Sequence, residues 1–252
     1  MEVHAHSHTP RKKWTHYFWE FLMLFLAVFC GFLAEYQLEH KIEKERGKQY
    51  LRSFYEDLKT DTARIAFYIN FDDAKLQGLT DLSGCFDTVS KNMTETSCLL
   101  TLVKNSSINR PFKMTERTLN QLAHAGGFRL LKKEDADSII AYQKEFDNFE
   151  DFQSTVFQDA QDIVRSTFNQ MVNFPANTQM FQPKEGQLIA TFDEKDVTLP
   201  VLFSDDKILL NKFFNELLLY YRITFNHKRM LVNLRNSQLH LIEYFKQKYK
   251  LD

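Results

Sequence analysis

Glycine and proline are scarce, at 7 and 5 among 252 residues. Sandwiches, barrels and dinucleotide-binding α/β folds turn often and draw on both, so this scarcity argues against them. Net charge is nearly absent as well: 32 Lys+Arg face 33 Asp+Glu. A non-specific nucleic-acid binder needs a surplus of cations to displace counterions from phosphates, so no nucleic-acid partner is expected. Apolar residues are plentiful, at 44% with 24 Phe, which excludes a disordered chain and supplies a large core.

Catalytic signatures are missing too. The chain has no Walker-type loop, no G-x-G-x-x-G and no nucleophile elbow. His40, His124, His227 and His240 are scattered, and none belongs to a His-Glu-x-x-His pattern. No pair of Glu-x-x-His motifs offers a carboxylate-bridged metal centre. We therefore expect no enzyme activity and no cofactor. His4, His6 and His8 alternate in the tail, where imidazoles can bind Zn, Ni or Cu. With no Cys or carboxylate cluster nearby, a polar His-rich tail is preferred and no metal is expected.

One long hydrophobic run is present. Residues 21–34 (FLMLFLAVFCGFLA) carry no polar side chain. They span about 21 Å as a helix, short of a ~30 Å hydrocarbon core. The flank closes the gap, because Trp14, Tyr17, Phe18 and Trp19 are apolar bodies and Trp and Tyr favour the headgroup level. Counted from Trp14 to Tyr36, the helix reaches about 34 Å, enough to cross with modest tilt. A cleaved signal peptide competes, but cleavage after Ala34 would put Phe32 where a small residue is wanted. A lipoprotein signal at Cys30 fails because Phe29 precedes it. A buried core helix is the third reading, opposed by the aromatic belt and the adjacent Arg11-Lys12-Lys13. An uncleaved single-pass anchor fits best.

Within that anchor, Trp14, Tyr17, Trp19, Glu20 and Tyr36 are expected at the membrane interface. Glu20 reads as an interfacial acid, with contact to a partner as the second reading. Ala27, Gly31 and Ala34 form a small-residue patch that lets another helix approach closely. The Lys/Arg count nearly ties, with Arg11-Lys12-Lys13 before the span and Lys41, Lys44, Arg46 and Lys48 after it; the short tail, with Glu2 its one acid, favours an N-terminus in the cytosol and residues 37–252 in the periplasm of a bacterial inner-membrane protein. Cys85 and Cys98 could pair there as a disulfide, or remain two packed thiols in a reducing compartment.

Beyond the span the periodicity is helical. Residues 37–50 are mostly charged and read as a stalk. Leu51, Phe54, Leu58, Thr62, Ile65 and Ile69 form one stripe. A second helix is expected over 78–103, interrupted or kinked near Gly84, followed by a turn-rich loop over 104–113 and a short helix starting at Thr115. A third runs over 134–172, with Tyr142, Phe146, Phe149, Val156, Ala160, Ile163 and Met171 inward and Phe152, Phe157, Val164 and Phe168 widening the stripe. Residues 187–192 and 197–203 read as a short β-hairpin or an extended crossover. Ser204 is expected to cap a fourth long helix ending near Tyr249. The predicted fold class is all-α: a transmembrane helix continuing into an elongated antiparallel bundle of four long helices. The domains are a tail (1–13), a span (14–36), a stalk (37–50) and a bundle (51–252).

This plan resembles a family of single-pass membrane proteins common in Bacteroidota that carry a domain of unknown function. The matching features are Glu20, the run 21–34, Glu43 to Arg46, residues 50–61 (YLRSFYEDLKTD), 118–131 (TLNQLAHAGGFRLL) and 139–142 (IIAY). The resemblance covers roughly the first 150 residues and implies membrane attachment and a helical ectodomain. It brings no catalytic residues. The expected function is a membrane-anchored scaffold or interaction protein. Its partners would be the lipid bilayer and either a second copy or another membrane protein. The alternative is a ligand-sensing ectodomain acting through a separate membrane partner.

Overall fold

In the computed structural model, residues 14–124, 126–180, 197, 199–203 and 205–251 are described. The His-rich tail, the first arm of the expected hairpin and Ser204 lie outside them. The chain is all-α, and the one β-type pairing among the described residues is an isolated bridge between Val172 and Leu202. The helices are α1 (Trp14–Gly78), α2 (Leu82–Lys91), α3 (Ser97–Ser107), α4 (Arg117–His124), α5 (Lys133–Phe152), α6 (Gln158–Met171), α7 (Phe174–Met180) and α8 (Lys207–Tyr249). A π-helical turn, Gln153–Phe157, joins α5 to α6 without a break.

Partner residues fix the directions. Along α1 and α8, Phe54 meets Phe245, Thr62 meets Gln238, Asp72 meets His227 and Lys75 meets Tyr220. One number rises as the other falls, so the two helices are antiparallel. The α5–α6 column also opposes α8, with Tyr142 on Gln238 and Phe168 on Phe213. Thus α1 and α5–α6 run the same way and α8 returns between them. The expected four long helices are three.

The fourth column is a broken descent. Residues 108–131 run down α1, where Asn109 meets Lys75, Phe112 meets Tyr68, Thr115 meets Asp61 and Thr118 meets Asp57. At the bottom the 3₁₀ turn Gly127–Leu130 reaches Gly47. A Cβ on Gly47 would lie 2.4 Å from the Leu130 carbonyl oxygen, so only glycine allows this approach. Gly126 enters the turn in the left-handed region, with φ 64°.

Several sequence expectations are corrected. The helix expected over 78–103 is two helices, because the Asn92 side chain accepts hydrogen bonds from the Thr94 amide and hydroxyl and offers that stretch an alternative to the helical ladder. α3 continues into the expected loop as far as Ser107. Thr115 does not begin a helix; it gives its amide and hydroxyl to Asp61 instead. The π turn inserts a residue into the third helix, so Val156 and Ile163 face outward at 43% and 45% exposure while Phe157 and Val164 are buried. Residues 174–180, which the sequence reading left unassigned, form the helix α7. The described part of the second hairpin arm meets Val172 through the Leu202 bridge. The cap of α8 is Asp206, whose carboxylate accepts from the Ile208 and Leu209 amides at 2.9 and 3.1 Å.

Buried side chains form two apolar clusters. A proximal one gathers Phe54, Leu58, Phe112, Phe146 and Phe245; a distal one gathers Leu79, Val164, Phe168, Leu210 and Phe213. Below Gly47 the helix stands clear: from Trp14 to Arg46 every residue but the half-buried Leu22 is exposed.

Candidate functional site

Two features are unusual enough to examine as sites: the polar layer between the two cores, and the bare N-terminal part of α1.

The polar layer begins with charges placed on the core stripe. Continuing from Ile65 by helical steps, the inward positions of α1 reach Asp72, Lys75 and Leu76, and all three are buried. His227 of α8 is 1% exposed and sets Nδ1 2.6 Å from Asp72 Oδ2. Its Nε2 lies 3.2 Å from Gln153 Oε1. Both ring nitrogens therefore face side-chain oxygens. Phe157 lies flat on the same ring, at 4.1 Å between centroids and 8° from parallel. The π turn matters here, because Gln153 and Phe157 flank it and both arrive at His227.

Gln153 also closes a loop. It accepts from the Phe112 amide at 2.7 Å and donates to the Phe112 carbonyl at 3.1 Å, completing the backbone pairing of a buried non-helical residue. Lys75 acts similarly. Its ammonium donates to the Ile108 carbonyl, Asn109 Oδ1 and the Tyr220 hydroxyl at 2.7, 2.6 and 2.7 Å. The rings of Phe71, Phe157 and Tyr220 lie within 5.3 Å of the same nitrogen. Burial pushes this lysine down to about 7, opposed by the nearby Asp72 carboxylate.

Lower down, Asp61 holds Thr115, and burial raises its carboxyl above the ordinary range despite those hydrogen bonds. Asp57 binds the Thr118 hydroxyl and Arg117. At the base, Asp135 accepts from Tyr244, Tyr249 and Lys248. Burial pushes Asp135 up, but the hydrogen bonds from Lys248 and the two tyrosines outweigh it and hold the carboxyl below its ordinary value. These polar residues fasten the irregular descent to the three long helices. The layer is made of rings and hydrogen-bonded side chains that clasp the elements to one another. Among the described residues no group of three His, Cys, Asp or Glu is arranged to hold a metal.

Sequence reading missed this clasp. The available signal was the presence of Asp61, Asp72 and Lys75 on or beside a stripe made, apart from Thr62, of Leu, Phe and Ile.

The sequence-predicted site residues lie elsewhere. Trp14, Tyr17, Trp19, Glu20 and Tyr36 are all exposed on the bare part of α1. Glu20 lies 3.2 Å from His16, one turn before it. Ala27, Gly31 and Ala34 are exposed, and a Cβ on Gly31 would meet nothing within 4 Å. This stretch is the one helix among the described residues long and apolar enough to cross a membrane, with mean hydropathy 2.0 and none of it buried. Cys85 and Cys98 form a disulfide linking α2 to α3, and Cys30 is free and exposed on α1. His4, His6 and His8 lie outside the described residues.

No family model, no curated protein and no solved structure matches this chain. The resemblance to the Bacteroidota family gains no support from these comparisons.

Proposed function

We propose that this chain is a single-pass membrane protein whose helical bundle acts as a scaffold for protein contacts, with no catalytic step of its own. The observation that carries the reading is the continuity of α1. One unbroken helix passes from an unpacked apolar stretch, through a charged stalk, into the core against α8. An apolar helix with no protein around it needs another apolar surrounding, and a bilayer provides one. About 16 Å of exposed stalk between Tyr36 and Gly47 would lift the bundle clear of the headgroups.

In this reading the N-terminus is cytosolic and the bundle periplasmic, at a bacterial inner membrane. The Lys/Arg count is nearly even, with Arg11-Lys12-Lys13 before the span and Lys41, Lys44, Arg46 and Lys48 after it, so the orientation rests on the disulfide. The Cys85–Cys98 disulfide supports an oxidising compartment for the bundle. The packed clasp supports a rigid presenter of surfaces over an enzyme. Membership of the Bacteroidota family belongs to the same proposal.

Protease protection on spheroplasts tests the reading. Added protease should digest the bundle without permeabilisation while the protein fractionates with membranes. A protected bundle overturns the orientation, and recovery in the soluble fraction overturns the anchor.

A further inference from the structure

The clasp holds an unpaired group at its centre. Asn109 Nδ2 is shut off from solvent and has no hydrogen-bond partner among the described residues, although the oxygen of the same amide accepts two bonds. A buried amide left half satisfied is costly, and its presence calls for a reason. Lys75 supplies one. Its Nζ lies 2.6 Å from Asn109 Oδ1, and the Tyr220 hydroxyl donates to that oxygen, also at 2.6 Å. An amine, an amide and a donor on the amide oxygen therefore meet at one point.

The surroundings favour reaction of the amine with the amide. Lys75 is 3% exposed, and the rings of Phe71, Phe157 and Tyr220 stand around its nitrogen. Burial pushes its pKa down to about 7 against the pull of Asp72, so near neutral pH a large share of the lysine carries a free lone pair. The Tyr220 hydroxyl is placed where negative charge grows when the amide carbon is attacked. Burial holds that hydroxyl far above the ordinary tyrosine range, so it keeps its proton and can donate.

We propose that Lys75 and Asn109 are a self-modification site, joined by an intramolecular isopeptide bond between α1 and the descending segment. The Lys75 Nζ lone pair attacks Asn109 Cγ, and Tyr220 holds the charge that develops on Oδ1. The Cγ–Nδ2 bond then breaks, its electron pair stays on Nδ2, and the proton lost from Nζ passes to that nitrogen. Ammonia leaves and a secondary amide remains, with no oxidant, reductant or second substrate. The unpaired Nδ2 is thus the atom expelled. The product closes a covalent loop that contains α2, α3 and the Cys85–Cys98 bond. An amide nitrogen does not titrate, so Lys75 titrates only while the bond is unformed. The chain reacts once with itself and turns over no substrate. The inference goes beyond the scaffold reading and does not depend on the membrane anchor.

Intact-mass spectrometry of the reduced full-length protein tests this. The bond lowers the mass by about 17 Da, one ammonia. Tandem spectra of a protease digest should show the Lys75 peptide joined through its side chain to the Asn109 peptide. Lys75→Met and Asn109→Ser should each keep the full mass of their sequences, and Tyr220→Phe should slow conversion of refolded protein at least ~10-fold. Wild-type protein of full mass, with separate Lys75 and Asn109 peptides, overturns the bond. The same loss surviving in Lys75→Met would come from cyclisation of an asparagine and overturns it equally. An unchanged rate in Tyr220→Phe overturns the step as written.

Discussion

His227 and Phe157 lie ring on ring, 4.1 Å apart and nearly parallel, at the level where the two apolar cores meet. The imidazole is pinned edge-on by Asp72 and Gln153, so α1, the π turn and α8 are tied at one point. A shared point of this kind makes the helices dependent on one another.

Removing either member of the buried pair should therefore be costly. Asp72→Ala or His227→Ala should each destabilise by about 3–5 kcal/mol, since each strands its partner in a dry interior. The double substitution should cost less than the sum of the two by ~1 kcal/mol or more. Denaturant unfolding of the four proteins in detergent measures this. Strict additivity would show that the contact contributes no coupling.

Lys75 sets a pH dependence. Its value falls from the ordinary lysine range to about 7 on folding, so between those limits the unfolded chain holds more protons than the folded one. Stability attributable to Lys75 should then rise as pH increases above about 7, and its burial cost should be fully present below that. In protein whose Lys75 amine is still free, the thermal midpoint of the wild type, minus that of Lys75→Met, should climb between pH 7 and pH 9. A flat difference would contradict the burial assigned to this ammonium.

The base of the body has the opposite acid-side behaviour. Asp135 titrates below its ordinary value, so its contribution is present above the unfolded carboxylate value of about 3.9 and fades as pH falls through the lower folded one. Asp135→Asn should remove this acid sensitivity and loosen the end of α8 around Tyr249. Hydrogen exchange of the last two turns of α8 reports it, and unchanged protection in the variant would count against the link.

Reduction of the Cys85–Cys98 bond frees a short loop between α2 and α3. Loss of a loop this size costs about 3 kcal/mol. A reducing agent, or Cys85→Ser with Cys98→Ser, should lower the unfolding midpoint, with the increased exchange confined to α2 and α3. An identical midpoint with and without reductant would show the link to be energetically silent.

How much of this was legible beforehand follows from the range of each interaction. The stripe of α1 and the start and end of the last helix to within a few residues were readable, because periodicity and caps are local. The span was readable as a helix of sufficient length and apolarity. The clasp was not, since His227 and Lys75 find partners 155 and 145 positions away. The π turn was not, because one inserted residue leaves no local mark; it shows in Val156 and Ile163, expected at the centre of the stripe, being exposed while Phe157 and Val164, expected at its edge, are buried. The break between α2 and α3 turned on one Asn92 side chain competing with the helical ladder.

The central claim is that residues 14–36 cross a lipid bilayer, and flotation of alkaline-washed membranes on a density gradient tests it most directly. The full-length protein should float with the lipid after carbonate washing, and a chain lacking residues 14–36 should stay at the bottom as a folded, disulfide-bonded body. Full-length protein left at the bottom, without detergent and without lipid, would contradict the account.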